Sequence, residues 1–292
     1  MNEFTFTYPT KVYFGEGAAA KALKAELMLA YGGGSVKTNG IYDEITGLLK
    51  EAGKEIVDFS GIMSNPTYAK VQEGAALARE KSVDFILAVG GGSVADCCKV
   101  VSAQTVLEED IWSMEYQKGQ FPAAGIPIVR TAARFAVLGP AYTASVPRMQ
   151  VLSGAFDTLS HAMETYFGNS DQDNVSDDVA LAIMRNTVVN MRRLLKNIDD
   201  MQARGNLMWD SAMAENGILK VGRLTDFQAH QIEHQLGAYT DCNHGQGLAV
   251  IHPAYYRHIM KDDEEKFTRF AKVVFDGDSA EAGIDALADF IR

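Results

Sequence analysis

The chain has 292 residues, of which 47% are hydrophobic, so it is long enough for one large domain or two ordinary ones with real cores. Its 27 basic and 38 acidic residues leave a net charge of −11, which argues against nucleic acid or an anionic membrane as a general partner. The chain has no apolar run of membrane-spanning length, no signal-peptide pattern at Met1–Phe4 and only three cysteines, which together predict a cytoplasmic protein.

The first half alternates between strand-like and helix-like segments. In chain order, the pattern predicts a strand at 4–8, a helix from about Ala18, a short apolar run at 28–31, a helix at 41–52, a strand at 56–59, a helix at 71–81 and a buried strand at 83–89. This alternation predicts a parallel sheet with helices on both faces, whose ligands bind at the carboxyl ends of the strands.

Two strand–glycine–helix junctions stand out in this half. Their residues are Gly32, Gly33, Gly34 and Ser35 at the first, and Gly90, Gly91, Gly92 and Ser93 at the second. Glycines let a phosphate approach backbone N–H groups, and a helix N-terminus adds a favourable partial positive charge. Neither junction matches the usual dinucleotide or P-loop pattern, and a tight turn can require glycine for conformational reasons alone. Asp96 and Lys99 follow one turn later, where they either orient a ligand or form a solvated helix face.

The second half reads as helical. Apolar residues recur with a period near 3.6 from Met149 to about Met260, Asn174–Asp178 supplies helix-capping residues, and Gly205 and Gly217 are predicted breaks. Five methionines of this half are predicted to fill its core: Met184, Met191, Met201, Met208 and Met213. We therefore predict two domains, an α/β domain at 1–147 and a helical domain at 148–292.

Four of the six histidines fall in three segments of this helical half. Asp157 and His161 are four residues apart, as are His230 and His234, so each pair lies on one helix face. His244 follows beside two glycines, Gly245 and Gly247, which would let the backbone come close. A single such pair is usually a surface salt bridge. Two such pairs and a further histidine in apolar segments, where unpaired polar groups are costly, favour a site for a divalent ion of the zinc or iron(II) type.

These motifs together resemble the iron-containing (group III) alcohol dehydrogenases, and most closely their butanol dehydrogenase branch. The similar stretches are Tyr8–Thr10 with Phe14–Gly17, Asn65–Thr67, the second glycine junction with Asp96 and Lys99, Ser153–His161 and Ala229–Gly245. The resemblance implies an α/β N-terminal Rossmann-like domain plus an all-α C-terminal domain, the dehydroquinate synthase-like fold of that family. It also implies an active site in the cleft between the domains, and a homodimer or larger homo-oligomer.

Residue roles follow from the same resemblance. It implies that Asp157, His161, His230 and His244 hold Fe²⁺ or Zn²⁺, that Gly90–Ser93 and Asp96 line a nicotinamide cofactor, and that His234 lies near the nicotinamide and substrate. NAD-preferring relatives tend to carry an acidic residue after the second strand, whereas this chain has Gly32–Ser35 with Lys37 close by. We therefore predict NADP(H) in preference to NAD(H), and a small primary alcohol or aldehyde as substrate, with His234 or a water as proton relay.

The sequence also departs from the family. We expect it to be shorter than its relatives at Leu27–Met28, around Arg130–Arg134 and at the C-terminus, and Gly139 stands where the resemblance would place aspartate. Three alternatives stay open on the sequence alone: a polyol dehydrogenase of the glycerol type, a metallohydrolase without nucleotide, and a shortened remnant that binds metal or nucleotide without turnover.

Overall fold

The computed structural model describes residues 11–15, 29–120, 122, 125, 135–168, 174–223, 225 and 227–292. These residues fall into two compact units, one ending at Ser145 and the other beginning at Val146. The strand predicted at 4–8, the helix predicted from Ala18, and the shortened stretches at Leu27 and at Arg130–Arg134 lie outside the described residues.

The first unit is built on parallel strands. Its elements in order are β1 (Lys11–Phe14), β2 (Leu29–Tyr31), α1 (Ser35–Thr38), α2 (Ile41–Glu51), β3 (Asp58–Phe59), α3 (Tyr68–Glu80), β4 (Leu87–Val89), α4 (Gly92–Val106), a π-helical turn (Ser113–Gln117), β5 (Phe135–Leu138) and a 3₁₀ turn (Pro140–Thr143). β2 lies between β3 and β4, and all three run parallel. β1 pairs with β5 in a second parallel sheet that the sequence did not predict.

Helices cover both faces of the three-stranded sheet, as predicted. Ala30 of β2 packs with residues of α3 and α4, whereas its neighbours Leu29 and Tyr31 pack with residues of α2 on the other face. β4 is shorter than the predicted strand at 83–89. The Val83 N–H donates to the Ala78 carbonyl and closes the end of α3, so Val83 does not join the strand, which begins at Leu87.

The second unit is helical over its described residues. Its elements are α5 (Arg148–Tyr166), α6 (Val175–Lys196), α7 (Met201–Glu215), a 3₁₀ turn (Ile218–Lys220), α8 (Gln228–Thr240), α9 (His244–Ile259), a 3₁₀ turn (Met260–Asp262), α10 (Glu264–Phe275) and α11 (Ala280–Ile291). The described helices include none that is both long and apolar enough to cross a membrane. The fold class predicted from the sequence is thus confirmed.

Helix ends test the predicted caps and breaks. Asn174 caps α6, since its side chain accepts from the Ser176 N–H and its own N–H donates to Asp177. Gly217 ends α7 with a φ of 87°, which favours glycine. The break predicted at Gly205 is wrong, because Asp200 already caps α7 and Gly205 lies buried one turn inside it.

α5 is the central helix of this unit and contacts α6, α7 and α9. Leu159 and Met163 on its inner side are completely buried and join a core with Met184 of α6. Of the methionines predicted to be core, Met184 and Met191 are buried, whereas Met201 is 37% exposed at the start of α7.

Candidate metal centre

Four predicted ligands meet within the helical unit. Asp157 and His161 come from α5, His230 from the first turn of α8, and His244 is the first residue of α9. Asp157 Oδ1 lies 3.5 Å from His161 Nε2, 3.6 Å from His230 Nε2 and 3.5 Å from His244 Nε2. The Nε2 atoms of His161 and His230 are 3.2 Å apart.

These separations suit a shared metal ion. Two donors that each lie about 2.1 Å from a tetrahedral ion are about 3.4 Å from one another. Asp157 Oδ1 is buried and makes no hydrogen bond of normal length, although three imidazole Nε2 atoms lie 3.5–3.6 Å from it. One carboxylate oxygen and three imidazole nitrogens form a donor set that zinc and iron(II) both accept. The residues present therefore fit a divalent metal.

Two glycines let α9 approach this cluster closely. A Cβ atom on Gly245 would lie 2.1 Å from the Ser153 carbonyl oxygen of α5, and one on Gly247 would lie 2.6 Å from Glu233 Oε1 of α8. Asn243 caps α9 through the Gln246 N–H, which fixes the position of His244 at the helix start. The backbone approach expected beside His244 is thus present.

The outer nitrogen of each imidazole faces a carboxylate. His230 Nδ1 contacts Glu164 Oε2, His244 Nδ1 contacts Glu233 Oε2, and His161 Nδ1 lies 2.5 Å from Glu215 Oε1. The contacts of His230 and His244 are hydrogen bonds, whereas that of His161 is a close approach without one. Hydrogen-bonded carboxylate–histidine pairs orient metal-binding imidazoles and raise their basicity.

Electrostatics of the cluster favour a cation. Burial opposes ionisation of Asp157, but its contacts with His230 and His244 outweigh burial and hold its pKa below the usual range. Burial also opposes protonation of His230, yet Asp157 and Glu164 raise its pKa to about 9. Asp157 is the main cause that raises the pKa of His244. Metal binding therefore displaces protons from these rings, and the metal affinity should fall as the pH falls.

His234 lies at the edge of the cluster. It is exposed on α8 one turn beyond His230, and its ring centre lies 5.7 Å from that of His244 and 6.2 Å from that of His230. Potential ligand atoms of Asp157, His230 and His244 lie within 4.8 Å of one another, and those of Glu233, His234 and His244 form a second such trio. Glu233 already contacts His244 Nδ1, so this trio offers a poorer donor set than the cluster around Asp157.

In the first unit, the two glycine junctions follow neighbouring strands, β2 and β4, at the same edge of the sheet. Their first glycines serve packing, because a Cβ would lie 3.2 Å from the Ile62 carbonyl oxygen at Gly32 and 2.6 Å from Val94 Cγ2 at Gly90. The glycines that face open space, where a Cβ would meet no atom within 4 Å, are Gly33, Gly34, Gly91 and Gly92. No side chain caps α4 at Gly91, so its first N–H groups are suited to an anion.

The other residues predicted for cofactor binding lie beside these turns. Ser35 is the first residue of α1, and Ser93 lies in the first turn of α4. Asp96 and Lys99 are exposed and form a salt bridge with each other at 2.7 Å. Of the two alternatives for these residues, this arrangement corresponds to a solvated helix face.

Comparison with known proteins identifies the family. The sequence pattern of iron-containing alcohol dehydrogenases matches residues 9–133, and that of the C-terminal part of the Fe-containing alcohol dehydrogenase family matches residues 151–292. The chain belongs to the iron-containing alcohol dehydrogenase family.

Individual members of this family are similar over most of their length. NADH-dependent butanol dehydrogenase A of Clostridium acetobutylicum is 35% identical over 90% of this chain and 77% of the relative. NADPH-dependent aldehyde reductase YqhD of Escherichia coli is 29% identical over 100% of this chain and 87% of the relative. The crystal structure of NADH-dependent butanol dehydrogenase A from Thermotoga maritima superposes with a TM-score of 0.93 at 32% identity, covering 100% of this chain and 84% of that one.

This member of the iron-containing alcohol dehydrogenase family is shorter than those relatives within the aligned region. The alignment with the Escherichia coli reductase spans 337 positions, against 292 residues in the whole chain. The relative therefore carries residues that have no counterpart here.

Sequence reasoning missed the three carboxylates behind the imidazoles. Glu164 and Glu233 each lie three residues after a predicted ligand on the same helix, so a search for acids one turn from a histidine would have found them. Glu233, however, contacts His244 of the next helix rather than its own neighbour His230. That pairing depends on the tertiary fold.

Proposed function

We propose that this protein is a metal-dependent alcohol dehydrogenase and aldehyde reductase that transfers hydride between NADP(H) and a small primary alcohol or aldehyde, such as butanol or butyraldehyde. Family membership supports the reaction class. The observation that carries the proposal is that Asp157 Oδ1 lies 3.5–3.6 Å from the Nε2 atoms of three imidazoles, those of His161, His230 and His244.

In this proposal Asp157, His161, His230 and His244 hold Fe²⁺ or Zn²⁺. The bound ion supplies Lewis-acid polarisation of the substrate oxygen. The four side chains hold that ion at a fixed point, and His234, exposed beside His244, is placed to exchange a proton with solvent. Gly32–Ser35, Gly90–Ser93 and Asp96 bind the cofactor in the first unit.

Cofactor preference is proposed from the first glycine turn. Gly33 and Gly34 face open space, the turn has no acidic side chain to repel a 2′-phosphate, and exposed Lys37 follows in α1. Lys37 Nζ lies over the Tyr42 ring, 4.8 Å from its centre. The similar relatives include an NADH-dependent and an NADPH-dependent enzyme, so the cofactor preference of this chain is tested by comparing its turnover with NADPH and with NADH.

The activity is tested by reduction of butyraldehyde on metal-stripped protein reloaded anaerobically with Fe²⁺ or Zn²⁺, with NADPH and NADH in parallel. We expect turnover that returns with metal, is absent in Asp157→Ala and is faster with NADPH. Protein that binds metal and NADPH without turning over any of butyraldehyde, 1-butanol, 1,3-propanediol or glycerol would refute the enzymatic proposal. Faster turnover of the diols or glycerol would instead favour a polyol dehydrogenase.

Two variants test the finer assignments. Lys37→Ala should raise the KM for NADPH by roughly tenfold, the loss of one charge-assisted hydrogen bond, and leave the KM for NADH unchanged. Lys81→Ala, which removes a lysine paired with Glu80 after α3, is the control.

His234→Ala with full metal content should slow turnover and alter its pH profile, and an unchanged profile would remove His234 as a proton relay. Light scattering of the purified protein tests the proposed homodimer or larger homo-oligomer.

A further inference from the structure

The carboxylates behind the imidazoles differ in burial. Glu164 and Glu233 are only 3% and 2% exposed, whereas the side chain of Glu215 is 45% exposed. A buried carboxylate is costly unless hydrogen-bond donors compensate it. The donors that surround the two buried ones therefore indicate what each carboxylate does.

Glu164 fixes both the backbone and the ring of His230. Its Oε1 accepts from the Ala229 N–H at 2.6 Å, and its Oε2 accepts from the His230 N–H at 3.3 Å and from the His230 ring at Nδ1. Phe227, the residue before α8, provides no side-chain cap. Glu164 of α5 thus caps α8 from another helix and holds the ligand imidazole with the same carboxylate.

Glu233 holds the imidazole ring of His244 as Glu164 holds that of His230, but it caps no helix. Its Oε2 contacts His244 Nδ1, and its Oε1 lies 4.0 Å from Cys242 Sγ. Gly247 is needed beside it, since any side chain there would meet the Glu233 carboxylate. The space that holds this carboxylate is therefore built by residues of both α8 and α9.

We propose that Glu164 and Glu233 are positioning residues of the metal centre, each receiving the Nδ1 hydrogen of one imidazole so that Nε2 presents its lone pair to the ion. An ionised carboxylate can only accept, so it selects this arrangement of the ring. The inference rests on the metal site of the proposed function. Glu215 has a weaker effect on His161, because water competes for an exposed carboxylate.

The test measures metal affinity rather than turnover. Dissociation constants for Zn²⁺ are obtained by competition with a chromophoric chelator on metal-stripped protein, and the visible absorption of the Co²⁺-loaded protein reports coordination geometry. Glu164→Gln and Glu233→Gln should each weaken Zn²⁺ binding roughly 10- to 100-fold and change the Co²⁺ spectrum. Glu215→Gln should weaken it by less than about tenfold.

Asp210→Asn is the matched control. Asp210 is a buried carboxylate of α7 in the same unit, 5% exposed, and it accepts from Asn186 and Thr187 rather than from a ligand. The Zn²⁺ affinity of the Asp210→Asn variant should match that of the unchanged protein. Glu233→Ala should bind more weakly than Glu233→Gln, because the amide oxygen of glutamine can still accept from Nδ1.

The outcomes separate the two proposals. An unchanged protein that binds neither Zn²⁺ nor Fe²⁺ removes the metal site and the proposed function with it. Tight binding in the unchanged protein, with both glutamine variants within about twofold of it, overturns the positioning role alone. Should Glu164→Gln fail to fold because α8 loses its cap, Glu233→Gln decides the question, since it removes no helix cap.

Discussion

Replacement of Gly245 by alanine tests how closely α9 must approach α5 for His244 to reach the metal centre. The added Cβ would lie 2.1 Å from the Ser153 carbonyl oxygen, where ordinary contact begins at 3.4 Å. The first turn of α9 must therefore move by about 1.3 Å. Metal–ligand distances tolerate only about 0.2 Å, so His244 should be lost as an effective ligand.

The effect on stability has two opposing parts. Alanine is favoured over glycine inside a helix by about 1 kcal/mol. Overpacking against a backbone atom costs about 1–3 kcal/mol or more, because neither helix can relax by a side-chain rotation alone. We expect Gly245→Ala to lower the free energy of unfolding by up to about 2 kcal/mol.

Gly154→Ala on the facing helix is the matched control. Gly154 is exposed within α5 and its added Cβ would meet no atom within 4 Å, so this variant should gain up to about 1 kcal/mol. Urea unfolding of the metal-stripped proteins measures both, and chelator competition measures Zn²⁺ affinity. If Gly245→Ala is as stable as Gly154→Ala and binds Zn²⁺ equally well, the close approach of the two helices is not required and the argument fails.

Four further effects follow from the structure. Burial lowers the pKa of His252 to about 4, so the folded protein holds this ring neutral at pH values where the unfolded chain already binds a proton. As the pH falls from about 6.5 to 4, the free energy of unfolding should therefore fall by up to about 3 kcal/mol. The His252→Gln variant should lose less over the same pH range. Asp177→Asn should cost about 3–5 kcal/mol in urea unfolding because it removes a buried negative charge that contacts two buried cations, whereas Asp178→Asn at an exposed pair should cost less than about 1 kcal/mol. Leu159→Ala, at a completely buried position of α5, should cost about 2–5 kcal/mol in the same assay, and a smaller loss would mean that the core closes around the cavity. A chelator should lower the melting temperature, since metal at a hundred times its Kd adds about 2.7 kcal/mol; an unchanged temperature would contradict metal binding to the folded state.

The parts of the site that share one helix were predictable from the sequence. The spacing of Asp157 and His161 alone places both on one face, and the glycines beside His244 indicated a close backbone approach. The role of Glu164 as a helix cap was not predictable, because the N–H groups that donate to its carboxylate lie 65 and 66 residues away in the sequence. Short-range periodicity says that such a glutamate is helical, but not whether its carboxylate faces water or another helix.

Strand lengths show the same limit. The apolar run at 83–89 is continuous in sequence, yet the hydrogen bond that ends α3 removes Val83 from the sheet. The pairing of β1 with β5 joins segments more than a hundred residues apart, for which the sequence offered no local signal.

Because the candidate ligands come from three helices, an ion bound there would also act as a cross-link in the chain. His161 and His230 are 69 residues apart, and closing a loop of that length removes about 4 kcal/mol of conformational entropy from the unfolded chain by the estimate used for disulfides. The metal would thus slow the opening of the helical unit as well as serve its chemistry. Metal-stripped protein should therefore be cleaved faster by proteases than metal-loaded protein.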